Sequence, residues 1–281
     1  MGHRSVGALL WLAAFVLTVL LATFQRMTGP SHPLRGEVVV SGDQAITYRL
    51  PRSDRGRGGL RVTVPLPPAG GEARLEWRRY PTNEPFQEIP MEGSGGARLE
   101  ATIPGQPPAG KVEYRIVMHS GQETLVIPDG EPVVARFRGS VPAAVLVPHI
   151  LAMFLSMLLS TRALLEVMRP GAPRARGLIL IAMALLVVGG FILGPIVQKF
   201  AFGALWTGWP FGHDLTDNKT LIAILAWLPA ALAAASRRPT RLVVILGWVV
   251  MMGVFLIPHS MRGSQLDWSQ GQQPIPATER Q

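Results

Sequence analysis

Val141-Pro-Ala-Ala-Val-Leu-Val-Pro-His-Ile-Leu-Ala-Met-Phe-Leu-Ser-Met-Leu-Leu159 is apolar throughout, interrupted only by His149 and Ser156. An α-helix needs roughly 20 such residues to cross a hydrocarbon core of about 30 Å. Residues 6–24, 177–197, 221–235 and 242–257 repeat the pattern. Lipid offers no hydrogen bonds to backbone groups, so only helices or closed barrels span it, and these runs are too long and continuous for barrel strands. The fold class expected is a five-helix transmembrane bundle with an inserted all-β domain.

Residues 28–140, between the first and second apolar runs, are rich in Pro, Gly and Arg and read as short strands separated by turns. The candidate strands are 37–40, 45–50, 60–64, 73–80, 97–103, 111–119, 123–127 and 133–137. Lys111-Val-Glu-Tyr-Arg-Ile116 alternates polar with apolar residues, as a half-buried strand does. This many short strands at such spacing point to an antiparallel sandwich of immunoglobulin or fibronectin type III kind, with Trp77 and Tyr114 as core anchors. The layout expected is an N-terminal anchor (1–27), the sandwich (28–140), a four-helix domain (141–260) and a disordered tail (261–281). No small-x-small cleavage site follows Ala22-Thr-Phe-Gln25, so the first helix reads as an uncleaved anchor.

The net charge of +9 does not point to nucleic acid, because its placement is topological. Arg162, Arg169, Arg174 and Arg176 lie between the second and third runs, Arg237, Arg238 and Arg241 between the fourth and fifth, and Arg4 before the first. Short basic loops stay cytoplasmic, which places the N-terminus inside and both the β domain and the C-terminus outside. Arg52, Arg55, Arg57 and Arg61 then form a basic loop suited to anionic lipid headgroups. The chain has no cysteine, which excludes disulfides, thiolate metal sites and thioether-linked haem.

In this topology His149, His213 and His259 fall at the outer face, with Asp214, Asp217 and Asp267. Imidazoles and carboxylates gathered there suit a metal, a haem bracketed by His149 and His259, or a proton relay. His149, Met153 and Met157 share a helix face, and soft thioethers under an imidazole suit Cu(I). The metal-binding set is thus His149, His213, His259, Asp214 and Met153, and the cofactor expected is haem or copper. No residue is assigned a catalytic role, and an enzyme is the less favoured reading.

Each feature also has a plainer structural explanation. Asp217 is placed to cap the fourth helix, and Lys199 and Lys219 to snorkel. Trp206, Trp209 and Trp268 suit an interfacial belt. Gly190-x-x-x-Gly194 suits close helix packing or room for a planar ligand. Arg162 and Glu166, spaced i, i+4, suit a pair at the inner interface. No ionisable residue falls at mid-membrane and no inverted repeat is visible, which disfavours a secondary transporter.

Residues 98–116 resemble the late hairpin of fibronectin-type domains. Met153-x-x-x-Met157 resembles the Met pair of eukaryotic high-affinity copper channels, without their three-helix architecture. Ala135-Arg-Phe-Arg-Gly-Ser-Val-Pro, Val147-Pro-His-Ile-Leu-Ala-Met-Phe, Trp209-Pro-Phe-Gly-His-Asp-Leu-Thr-Asp-Asn-Lys-Thr and Ile257-Pro-His-Ser resemble an uncharacterised family of bacterial inner-membrane proteins. That likeness implies a bacterial inner membrane, in which the topology above makes the β domain and the tail periplasmic. The functions expected are an accessory or assembly subunit contacting an envelope protein partner and membrane lipids, a haem- or metal-binding redox protein, or an outer-face enzyme acting on a lipid-linked substrate.

Overall fold

The computed structural model describes residues 3–29, 31–40, 44–55, 58–66, 71–94, 96–120, 123–237, 241–258 and 265–268. Two compact units emerge, one drawn from Met1–Gly29, Val141–Phe200 and Ala204–Gly263, the other from Pro30–Ser140, Ala201–Gly203 and Ser264–Gln281. His259 and most of the expected tail lie outside the described residues.

The first unit contains helices α1 (His3–Met27), α2 (Ala143–Val167), α3 (Ala175–Phe202), α4 (Leu215–Ala235) and α5 (Arg241–Leu256). The first four are long and apolar enough to cross a membrane. The fifth is equally apolar but has only 16 residues, about 24 Å at roughly 1.5 Å per residue. Large apolar side chains face outward on all five, among them Leu12, Phe154, Ile192, Leu232 and Leu246, a surface that suits lipid rather than water. Small buried residues, Ala163, Ala182, Ala223 and Ala230 among them, line the interior and let the helices approach closely.

Polar atoms inside this unit bind across helices. Ser156 Oγ donates to Ala182 O at 2.9 Å, Trp227 Nε1 to Ile179 O at 3.2 Å, and Trp248 Nε1 to Thr161 Oγ1 at 3.0 Å. Within α3, Val187–Leu193 widens into a π-helix. Pro195 has no N–H to continue the α-helical ladder, and Gly189 and Gly190 place no Cβ against the altered backbone.

Arg162 and Glu166 do pair, and the pair is buried among the helices. Both side chains are 0% exposed, with Arg162 Nη2 2.7 Å from Glu166 Oε2. Arg169 approaches the same carboxylate, and the Trp11 ring lies 5.5 Å from the Arg162 guanidinium carbon. Arg162 Nε and Nη1 have no hydrogen-bond partner among the described residues. Such a pair offsets its own desolvation only while both charges remain.

The second unit is built from strands β1 (Leu34–Val40), β2 (Gln44–Leu50), β3 (Ser53–Asp54), β4 (Leu60–Pro65), β5 (Glu72–Arg79), β6 (Gln87–Pro90), β7 (Glu92–Gly93), β8 (Arg98–Ile103), β9 (Lys111–Ser120), β10 (Glu123–Ile127) and β11 (Val133–Phe137). All eight expected strands are present, and β3, β6 and β7 are additional. One sheet has the order β3-β11-β9-β5-β6, with β10 also on β9; a second has the order β4-β8-β7; β1 and β2 form a hairpin. The pairings are antiparallel except for β3 with β11, which is parallel.

Inward residues of β2, β4, β5, β8, β9, β10 and β11 form one apolar core. Trp77 and Tyr114 sit directly opposite each other in it, as expected of core anchors. Tyr114 Oη donates to Pro51 O at 2.8 Å. Burial pushes this phenol far above its ordinary range, so it stays protonated as a donor.

On the other face of β5 and β9, opposed residues carry opposite charges. Glu76 faces Arg115 and Arg78 faces Glu113. Arg115 Nε lies 2.7 Å and Arg74 Nε 3.1 Å from the Glu76 carboxylate, and Arg78 pairs with Glu113. Arg78 and Arg115 both stack on Phe86, at 4.5 and 4.9 Å. Burial raises the Glu76 pKa, but the hydrogen bonds and charges of Arg115 and Arg74 outweigh it and hold the carboxyl below its usual value.

Glu76 therefore contributes stability that is present above its unfolded pKa and lost as pH falls through its lower folded pKa. Protection factors of the β5 and β9 amides, with the intrinsic pH dependence of exchange divided out, should fall on acidification in the wild type and fall less steeply in Glu76→Gln; equal dependence would exclude this role. In the helical unit, Glu166→Gln should destabilise by about 3–5 kcal/mol, while Arg162→Met combined with Glu166→Leu should be close to neutral. Thermal unfolding in detergent reads both, and equal losses in the two variants would refute the charge-pair account.

Candidate functional site

A dense polar cluster of the helical unit forms where the α3–α4 loop meets α4. Asp217, in the first turn of α4, is buried and accepts on Oδ2 from Thr207 N at 2.6 Å, Gly208 N at 3.0 Å and Gln198 Nε2 at 3.0 Å. Gln198 Nε2 also donates to Thr207 Oγ1 at 2.8 Å. A Cβ on Gly208 would lie 2.6 Å from the Asp217 Cβ, so the loop backbone rests against the helix where only glycine fits.

Asp214, not Asp217, is the N-cap of α4; its Oδ1 accepts from Thr216 N at 2.7 Å. Its Oδ2 accepts from Thr207 Oγ1 at 3.2 Å, and its own N–H donates to Thr207 O at 3.0 Å. Asn218 Oδ1 accepts from Trp209 N at 2.7 Å. Three consecutive loop amides, at residues 207 to 209, are thus held by side chains of α4. The loop so fixed projects Trp209 and Phe211, which are 66% and 82% exposed. Trp206 packs edge-on against Phe191 at 5.3 Å.

Lys219 does not snorkel. It is buried and its Nζ donates to Ile257 O, just past the end of α5, where a cation meets the negative end of the helix dipole. Trp268 is not in an interfacial belt either; it is buried in the β-containing unit, with its Nε1 donating to Tyr80 O at 3.1 Å.

His149 is half-buried on α2, its Nδ1 2.8 Å from Gly189 O in the π segment of α3. A carbonyl only accepts, so Nδ1 carries the proton and Nε2 holds the lone pair. Met153 Sδ packs at the glycine pair of α3, 3.1 Å from where a Gly189 Cβ would stand and 3.6 Å from that of Gly190. The Gly189 position also lies 2.9 Å from Ala152 Cβ, and the Gly190 position 2.7 Å from Thr220 Cγ2. The close helix approach therefore runs through Gly189 and Gly190; a Cβ on Gly194 would meet only ordinary contacts.

Of the expected ligand set, the structure gives His149 a carbonyl, Asp214 a helix cap and Met153 a packing contact. His213 sits in the loop just before that cap, and His259 lies outside the described residues. Among the described residues no three His, Asp or Glu side chains are grouped to hold a metal ion. Gln198, Thr207 and the cap at Ile257 were not expected. Their one visible signal is an amide side chain, Gln198, in an otherwise apolar run beside Lys199.

No family model, curated protein or solved structure matches the chain.

Asp217→Ala orphans the Thr207 and Gly208 amides, at about 1–3 kcal/mol for each buried group. Hydrogen exchange at those two amides should rise by about 5–150-fold, while Asp217→Asn, which keeps an acceptor, should show a smaller rise. Unchanged exchange in Asp217→Ala would show that the carboxylate does not hold the loop.

Proposed function

We propose that the chain is an accessory or assembly subunit of the bacterial inner membrane, using a periplasmic β domain to contact an envelope protein partner. The observation that carries this reading is how the polar groups divide. Around the α3–α4 loop, Asp214, Asp217, Asn218 and Lys219 are committed to backbone partners that fix the fold. On the β unit, Glu76 and Glu113 are buried under their arginines, and the partly exposed guanidinium groups of Arg74, Arg78 and Arg115, two of them stacked on Phe86, form an ordered charged row on β5 and β9. Arginine and aromatic residues are enriched where proteins recognise one another.

An immunoglobulin- or fibronectin-like identity for the β unit is supported by its strand order. Sheet β4-β8-β7 shares a core with β3-β11-β9-β5-β6, and the short β3 runs parallel to the last strand. Domains of this kind commonly serve as binding modules, although fold alone does not set function. The basic α2–α3 loop supports a cytoplasmic location for that loop and an exported one for the β unit.

A haem or metal centre is the second reading, and one observation favours it. The Gly189 carbonyl fixes the tautomer of His149 with Nε2 unprotonated, as a metal-ligating histidine requires.

Photocrosslinking residues in place of Val39 and Glu88, both exposed on the β unit, should each capture the same discrete envelope protein in intact cells. Absence of adducts at both positions would refute the partner-binding reading. Stoichiometric haem or copper in the purified protein, lost in His149→Ala, would put the second reading in its place.

A further inference from the structure

Residues Gln265–Trp268 rest in a slot of the β-containing unit, formed by the end of β5 and the turn before β9. Leu266 N donates to Ala109 O at 3.3 Å, and the Trp268 indole N–H donates to Tyr80 O at 3.1 Å. The Arg79 guanidinium carbon lies 5.1 Å from the Trp268 ring centroid, and Lys111 Nζ donates to Gln265 Oε1 at 2.9 Å. Gly110 forms the wall; a Cβ there would stand 3.2 Å from Trp268 Cη2 and 2.8 Å from Pro107 O. Trp268 is 9% exposed, whereas Gln265 and Asp267 are exposed.

The slot is a fixed part of the β unit. Ala109 adopts φ +70°, a left-handed conformation unusual for a residue with a side chain. In that conformation it donates to Phe137 O and accepts from Leu266 N. Tyr80 N is held by Lys111 O, and the Gln106 side chain is buried and donates to Pro104 O. Strain of this kind persists where the surroundings fix it, commonly at binding sites. Among the described residues the segment in the slot has no sheet pairing; its Leu266 amide, its Gln265 side chain and its indole N–H bond to the unit.

We propose that this slot is a peptide-docking site for a tryptophan-bearing extended segment of a partner protein, with the chain's own Gln265–Trp268 occupying it in cis. The proposal rests on the partner-binding reading above and adds the slot to the β5–β9 row as a contact surface. The features that hold Trp268 define the ligand. It needs a flat aromatic with an N–H donor to meet Tyr80 O and stack on Arg79, and a free backbone N–H two residues earlier for Ala109 O. A side-chain acceptor one residue before that meets Lys111. Rigid aromatic anchors in formed pockets dominate such interfaces. A tail tethered on the same chain competes at an effective concentration on the order of millimolar, so a partner gains access only when the tail leaves.

The test is a fluorescent peptide of residues 262–272 added to the full-length protein in detergent. Trp268→Ala, whose tail no longer supplies the indole, should bind it saturably, and the wild type should bind it at least about tenfold more weakly because the tail competes. The same peptide with alanine at its tryptophan should not bind, and Arg79→Met added to Trp268→Ala should weaken binding without changing the circular dichroism of the β unit. No saturable binding to Trp268→Ala with that spectrum retained would overturn the proposal, as would equal binding to both proteins. The outcome is separable from the partner-binding reading: peptide failure with intact Val39 and Glu88 adducts removes only the slot. Loss of those adducts with peptide binding retained removes the partner and leaves a site that serves the chain's own tail.

Discussion

Apolar surroundings supply no hydrogen bonds, so polar groups packed between the helices draw their partners from the protein, Arg162 Nε and Nη1 excepted. This constraint organises the whole helical unit. It sends Ser156 to Ala182 O, Trp227 to Ile179 O and Lys219 to Ile257 O, each a bond from a side chain to a carbonyl of another segment. Each such bond fixes the rotation of one helix against its neighbour more sharply than apolar contact can. The Asp217 carboxylate does the same for the loop, turning an irregular connection into a shaped support for Trp209 and Phe211.

The β unit meets the same constraint with water on one side. Its inward face is apolar and built around Trp77 and Tyr114, while Glu76 and Glu113, nearly as buried, are neutralised by arginines directly across the ladder. The stacking of Arg78 and Arg115 on Phe86 covers the aliphatic parts of these side chains, so the face is ordered without being oily. The partner binding proposed for this surface would draw on direction and charge as much as on area.

Much of this architecture is legible in the residues. Five apolar runs coincide with five helices, and the strands with clear alternation or β-branched content, such as Lys111–Ser120 and Val133–Phe137, fall where the pattern places them. The strands that escape are short or lack an apolar period: Ser53–Asp54 and Glu92–Gly93 have two residues each, and Gln87–Pro90 has one large apolar side chain. At the α3–α4 loop the residue types were visible but their roles were not. Asp214 and Asp217 are both placed to cap a helix, and only the path of the loop decides that Asp214 does so. Lys219 resembles an interfacial lysine until α5 ends beside it. Trp268 matches an interfacial tryptophan because sequence distance says nothing of a slot formed around residues 79–80 and 107–111.

The π segment of α3 has a geometric consequence of its own. A π turn holds one more residue than the α turn it replaces, as the bond from Gly194 N to Gly189 O over five positions records. Everything beyond it is therefore rotated by about 100° relative to an unbroken α-helix. Gln198 lies beyond it, and its meeting with Asp217 depends on that offset. Two glycines and a proline thus act as a phase shifter. The first part of α3 is indexed to α2 and α4 by packing, its last turns are indexed to the loop by hydrogen bonds, and the extra residue lets one helix satisfy both registers.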